Sequence, residues 1–98
     1  MDEYKSDYEV KTNLVMPKMS KVIMLNDNYT TMEFVVSILQ NIFRKNVSEA
    51  RYIMLKIHNE GQGICGIYPY DIALSKANEA RELSKQAGYP LRILVEYE

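Results

Sequence analysis

The apolar residues of this chain change period as it runs, and that change limits the folds open to it. Ser20 to Leu25 is a short apolar run ended by Asn26-Asp27-Asn28. Asn and Asp favour turns because their side chains bond nearby backbone, so the run reads as a strand that stops there. From Met32 the period becomes helical: Met32, Val35, Val36, Leu39, Ile42 and Phe43 form one stripe. Thr30 with Glu33 three residues on reads as a capping box, and the spacing predicts a helix from Thr31 to Arg44. Asn46 and Glu49 repeat the capping pattern. Ala50, Ile53, Met54 and Ile57 then make the apolar face of a second helix, which Gly61 is placed to end. Only a few residues join the two helices, so they should pack as a hairpin.

The segment Gly63 to Tyr68, GICGIY, reads as a second strand. Pro69 suits the first position of a third helix, where a missing N–H costs nothing. Ala73, Ala77, Ala80, Leu83 and Ala87 would give that helix a small-residue face able to lie close to a sheet. Gly88 and Pro90 end it. Leu91, Ile93, Val95 and Tyr97 alternate with Arg92, Leu94 and Glu96, the period of a half-buried strand. The predicted order is β-α-α-β-α-β, an α+β fold with a three-stranded antiparallel sheet packed against three helices.

Size and charge exclude several functions. The 98 residues suit one domain. Residues 1–16, in which charged residues mix with polar and aromatic ones without a lasting period, read as a flexible N-terminal extension; residues 17–98 read as the domain. Twelve Lys and Arg against 13 Asp and Glu leave a formal charge of −1, without the basic stripe that nucleic-acid binding needs. The longest apolar runs, Val22–Leu25 and Tyr52–Leu55, are four residues each, where a membrane span needs about 20. The opening MDEYKSDYEV is too acidic to read as a signal peptide. A single cysteine, Cys65, cannot form an internal disulfide, which points to a reducing compartment such as the cytoplasm. A single histidine, His58, excludes a two-His zinc motif. No nucleotide-binding glycine motif is present. No metal or cofactor is expected.

Three segments carry a resemblance: LNDNYTTMEFVVSIL, ARYIMLKIHNEGQGICGIY and the IALSKA stretch. They resemble the bacterial ClpS adaptor family over about Pro17 to Glu96. The resemblance implies a non-enzymatic adaptor. Such a protein binds substrates bearing a destabilising N-terminal residue (an N-degron) and hands them to a Clp AAA+ unfoldase and its protease.

A ligand of this kind has two handles, an α-ammonium and a large apolar side chain. The ammonium needs acceptors and the side chain needs a dry pocket. Met54 and His58, four apart on the second helix, share a face. If that helix packs on the start of the first, Met32, Val35, Met54 and Ile57 can line a cavity with Asn26, Asp27 and His58 around its mouth. The resemblance places the α-amino contacts on Asn26, Asp27 and His58. It places the side-chain pocket on Thr30, Met32, Val35, Met54, Ile57 and Leu91. It also makes Met32 a gate against β-branched first residues, whose Cβ is wide and stiff, so that Leu, Phe, Tyr and Trp are the expected first residues.

The chain departs from the family pattern at Asn28, where a second aspartate is usual, at Thr31, where proline is usual, and at Pro69, where a capping threonine is common. By resemblance, Asp71 and Lys76 on the third helix meet the N-terminal domain of the unfoldase, of ClpA-like or ClpC-like type, and the N-terminal extension is engaged during delivery. Nothing requires more than a monomer. Two alternatives remain open: a plain interaction module of similar fold, like the C-terminal domain of the ribosomal stalk protein, and an enzyme using Cys65 with His58.

Overall fold

The computed structural model describes residues 17–98, and the expected N-terminal extension lies outside them. The chain runs β1 (Met19–Leu25), α1 (Met32–Asn41), α2 (Val47–Glu60), β2 (Gln62–Pro69), α3 (Tyr70–Ala87) and β3 (Arg92–Tyr97). This is the β-α-α-β-α-β order read from the sequence. The strands form one antiparallel sheet in the order β2-β1-β3.

The apolar run of β1 suits its central place. Ser20, Val22 and Met24 are fully buried on one face, and Val22 and Met24 join the helices in a single core. Ile23 points the other way and is still only 4% exposed, because Ile64 and Leu94 flank it in register on the two neighbouring strands. The core side also holds Ile38, Leu39, Ile42, Phe43, Ala50, Ile57, Cys65 and Ile93. Each large aliphatic side chain there contributes on the order of 1.5–3 kcal/mol.

The register between β1 and β2 slips at Val22/Ile23, and Cys65 is the additional residue of this bulge. The slip reverses the inward and outward faces for the rest of β2. Ile67 is therefore exposed, while Tyr68 turns toward the core.

Three local expectations need correction. The cap of α1 is Thr31, whose hydroxyl accepts from the Phe34 N–H at 3.2 Å. Thr30 is instead held by Asp27, which shifts the start by one residue. The helix stops at Asn41 rather than Arg44. Ile42 and Phe43 both turn into the core, and Arg44 adopts a left-handed φ of 58°. At the third helix, Pro69 is the N-cap and the last residue of β2, not the first helical residue. Its φ already suits a helix start but its ψ is extended.

The buried face of α3 is Ala73, Ala77, Ala80 and Ser84. Leu83 is 40% exposed, because at ~100° per residue it lies about 80° off the alanine stripe. Ser84 takes its place by returning its hydroxyl to the Ala80 carbonyl at 2.8 Å. Ala87 lies on the stripe but is the last helical residue and is exposed.

The helix hairpin is built as the sequence indicates. Asn46 and Glu49 form a reciprocal capping box at the start of α2, and Gly61, at φ 94°, closes its end. The helices α1 and α2 pack on each other, α2 also packs on β2, and α3 packs on all three strands. Lys76 of α3 donates to the Ile42 carbonyl at the end of α1 (2.8 Å), and its ammonium lies 5.3 Å over the Tyr68 ring.

Candidate functional site

The turn after β1 is built by one carboxylate. Asp27 Oδ1 accepts from the N–H groups of Tyr29 (2.8 Å) and Thr30 (2.7 Å), and Oδ2 accepts from the Thr30 hydroxyl (2.7 Å). Burial pushes the Asp27 carboxyl up, but the hydrogen bonds from Thr30 and Tyr29 outweigh it and hold its pKa below the usual carboxylate value. The group is therefore a fixed negative charge at neutral pH.

The same turn is tied to the far end of α2. The Asn26 N–H donates to the Gly61 carbonyl at 2.9 Å. Gly61 closes the helix in the left-handed conformation, and its carbonyl is the acceptor of this bond. That bond brings Asn26 and Asp27, from the end of β1, beside His58, in the last turn of α2.

Between this turn, the start of α1 and the inner face of α2 lies a cavity of about 390 Å³. Asn26, Asp27, Asn28, Tyr29, Thr30, Thr31, Met32, Val35, Met54, Ile57 and His58 line it. Its floor is apolar, since Val35 is 7% and Ile57 3% exposed. Its rim is polar: Asn26 and His58 are exposed and Asp27 is half-buried. Met32, 43% exposed, stands at the edge. Among the described residues, no side-chain hydrogen bond ties down Asn26 or His58, and no Lys or Arg lines the cavity. One face thus offers free acceptors near a fixed anion, and the other offers an apolar recess. The chemistry suits a ligand that is cationic at one end and apolar beside it.

Eight of the nine sequence-derived binding residues, Asn26, Asp27, Thr30, Met32, Val35, Met54, Ile57 and His58, lie on this cavity. The ninth, Leu91, is 8% exposed in the core just before β3 and is not among the lining residues. Tyr29 also lines the cavity; its sequence clue was its place inside the same Asn-Asp turn. Asn28 and Thr31, which stood out only as departures from a pattern, are wall residues too.

Asp71 and Lys76 lie on α3, away from the cavity lining. Asp71 is exposed in the first turn and accepts from the adjacent Ile72 N–H at 3.0 Å. Lys76 is half-buried by its bond to Ile42.

Cys65 is fully buried, and burial pushes its thiol up to about 12, with Lys45 opposing weakly. A nucleophilic thiol needs exposure and a lowered pKa, so the Cys65–His58 pairing lacks its nucleophile. Among the described residues no group of three His, Cys, Asp or Glu could hold a metal ion, and no helix is long and apolar enough to cross a membrane.

Comparison with known proteins shows the family. The family profile described as "ATP-dependent Clp protease adaptor protein ClpS" matches residues 15–94. The ClpS adapter protein of Wolinella succinogenes is 48% identical over 95 residues, covering 93% of each chain. That of Campylobacter jejuni is 52% identical over 88 residues, covering 90% of this chain and 92% of the relative. The structure of Agrobacterium tumefaciens ClpS2 bound to L-phenylalaninamide superposes with a TM-score of 0.81 at 41% identity, covering 85% of this chain and all of the other. A profile spanning most of the chain, relatives about half identical along it and a shared fold together make this chain a member of the ClpS family of ATP-dependent Clp protease adaptors.

Proposed function

We propose that this adaptor binds the free amino terminus of proteins beginning with Leu, Phe, Tyr or Trp and delivers them to a Clp AAA+ unfoldase. The cavity's division into an anionic, acceptor-lined rim and an apolar floor carries the proposal. The α-ammonium has three donors, and among the described residues Asn26 Oδ1 and a His58 ring nitrogen are free to accept two. Asp27 adds its charge, and Oδ2 keeps a lone pair beyond its bond to Thr30. The first side chain enters between Met32, Val35, Met54 and Ile57. Met32 narrows the mouth, so a Cβ branch in Ile or Val is disfavoured. L-phenylalaninamide, bound by the Agrobacterium relative, presents the same free amine and apolar side chain.

Delivery needs a second surface. Asp71 and Lys76 on α3 are assigned to the N-terminal domain of the unfoldase, and residues 1–16 to engagement during delivery. Charges at such a surface act more through orientation and association rate than through affinity. The adaptor acts as a non-enzymatic monomer, and its one buried thiol suits the cytoplasm.

The test is fluorescence anisotropy with peptides differing only at residue one: Leu, Phe, Tyr, Trp, Ile and Met, with N-acetylated Phe as control. Leu and the aromatics bind and Ile does not. Acetylation removes the charge and two donors and weakens binding at least tenfold, since each hydrogen bond to a charged group is worth roughly 1.5–3 kcal/mol. His58→Ala weakens the same peptides while the circular dichroism stays native, because His58 is exposed. Equal binding of acetylated and free Phe would refute the proposal.

A further inference from the structure

Ile57 forms part of the cavity floor and has a glycine behind it. One side of this residue faces the cavity; the other lies against Gly63, near the start of β2. A Cβ built on Gly63 would sit 2.8 Å from Ile57 Cγ1 and 3.6 Å from both Ile57 Cδ1 and the Ile53 carbonyl oxygen. Ordinary contact begins near 3.4 Å, so one added methyl would have to move Ile57 by about 0.6 Å.

The backbone does not require glycine here, since only Gly61 and Gly88 have positive φ among the glycines. The space does. Nor can the strand easily yield, because Gly63 is buried and paired with Met24 of the central strand, itself fully buried. Isoleucine on a helix has one strongly preferred χ1 rotamer, so rotation is no easy escape. The cavity is the open space that Ile57 borders, so the displaced side chain would move toward it.

We infer that Gly63 is a specificity-determining position. By leaving room for Ile57 it sets the depth of the apolar recess, and with it the largest first residue the recess accepts. This rests on the reading of the cavity as a pocket for the first side chain. Gly63 touches no ligand; it acts through Ile57, as a positioning residue.

The experiment compares wild type, Gly63→Ala, Ile57→Val and the double variant. Each is titrated with peptides beginning Leu, Phe and Trp and with N-acetylated Phe, and each is checked by urea unfolding. Gly63→Ala weakens Trp and Phe relative to Leu by roughly tenfold or more, the effect of about one methylene of misfit in an apolar pocket. Ile57→Val alone shifts the ratio toward Trp. In the double variant the loss of Ile57 Cδ1 offsets the volume of the added methyl, but the Cγ1 that the methyl meets at 2.8 Å stays in valine, so the ratio returns only part of the way toward wild type. If Gly63→Ala alone fails to fold, the double variant and Ile57→Val carry the test. A folded Gly63→Ala protein with the wild-type Trp-to-Leu ratio, or an Ile57→Val protein with an unshifted one, overturns the role of Gly63 while the pocket stands. A wild-type protein that binds no free amino terminus overturns the pocket itself, and the inference with it.

Discussion

Replacing Asp27 should damage both stability and binding, in proportion to the bonds it makes. Its carboxylate accepts three hydrogen bonds at 2.7–2.8 Å. The Tyr29 N–H is exposed and returns to water at little cost. The two bonds from Thr30 are part-buried. Bonds to a charged group run to roughly 1.5–3 kcal/mol each, and partial solvation brings these toward the lower end. Asp27→Ala therefore costs about 2–3 kcal/mol. Asp27→Asn keeps one acceptor oxygen for both N–H groups and can donate to the Thr30 hydroxyl, so it loses chiefly the charge and costs about 1 kcal/mol.

Urea unfolding at pH 7 measures both variants, and pH separates charge from shape. The folded pKa of Asp27 is lowered. Its contribution is thus present above the unfolded carboxylate value, near ~3.9, and is lost as pH falls through the lower folded value. The gap between wild type and Asp27→Asn is open at pH 7 and closes below about pH 4. Peptide affinity falls with Asp27→Ala because the turn Asn26–Thr31 is one wall of the cavity. An Asp27→Ala protein as stable as wild type, or an Asn gap that persists unchanged to pH 2, would refute the account of Asp27 as the organiser of the turn.

Other residues give independent checks. Ser20→Ala is neutral or stabilising by up to about 1 kcal/mol in urea unfolding, because the Ser20 hydroxyl is buried without a partner among the described residues. Cys65 titrates from an ordinary value of 9.0 in the unfolded chain to about 12 when folded. Its contribution is complete below pH 9 and declines toward pH 12, so the advantage of wild type over Cys65→Ala shrinks above pH 9 by about 1.4 kcal/mol per pH unit. Lys76→Ala lowers stability by about 1 kcal/mol through loss of its bond to the Ile42 carbonyl. A pulldown with the unfoldase must therefore be read beside an unfolding curve. Peptide affinity declines above about pH 8 as the ligand's own α-amine, titrating near ~7.7–8.0, loses its charge.

Much of the candidate site is legible before any coordinates. Met54 and His58 are four apart on a helix, and helix geometry alone puts them on one face. Asn26-Asp27 announces a turn by side-chain chemistry. What escapes is which neighbour each polar group chooses. Thr30 and Thr31 are both competent caps, and the outcome follows from Asp27 having already engaged Thr30. Leu91 looks equivalent to the other apolar pocket residues in sequence, but it packs in the core just before β3.

The order of elements was determined by the sequence itself, because period, caps and glycines act over a few residues and need no distant partner. The capping box at Asn46 and Glu49 and the helix end at Gly61 are of this kind. Tertiary structure alone decided two matters. A bulge at Cys65 reversed the faces of β2 and left Ile67 outside. The bond from the Asn26 N–H to the Gly61 carbonyl drew two segments 35 positions apart in the chain around one cavity. Each depends on pairing between distant segments, and no local pattern of residues encodes where such partners meet.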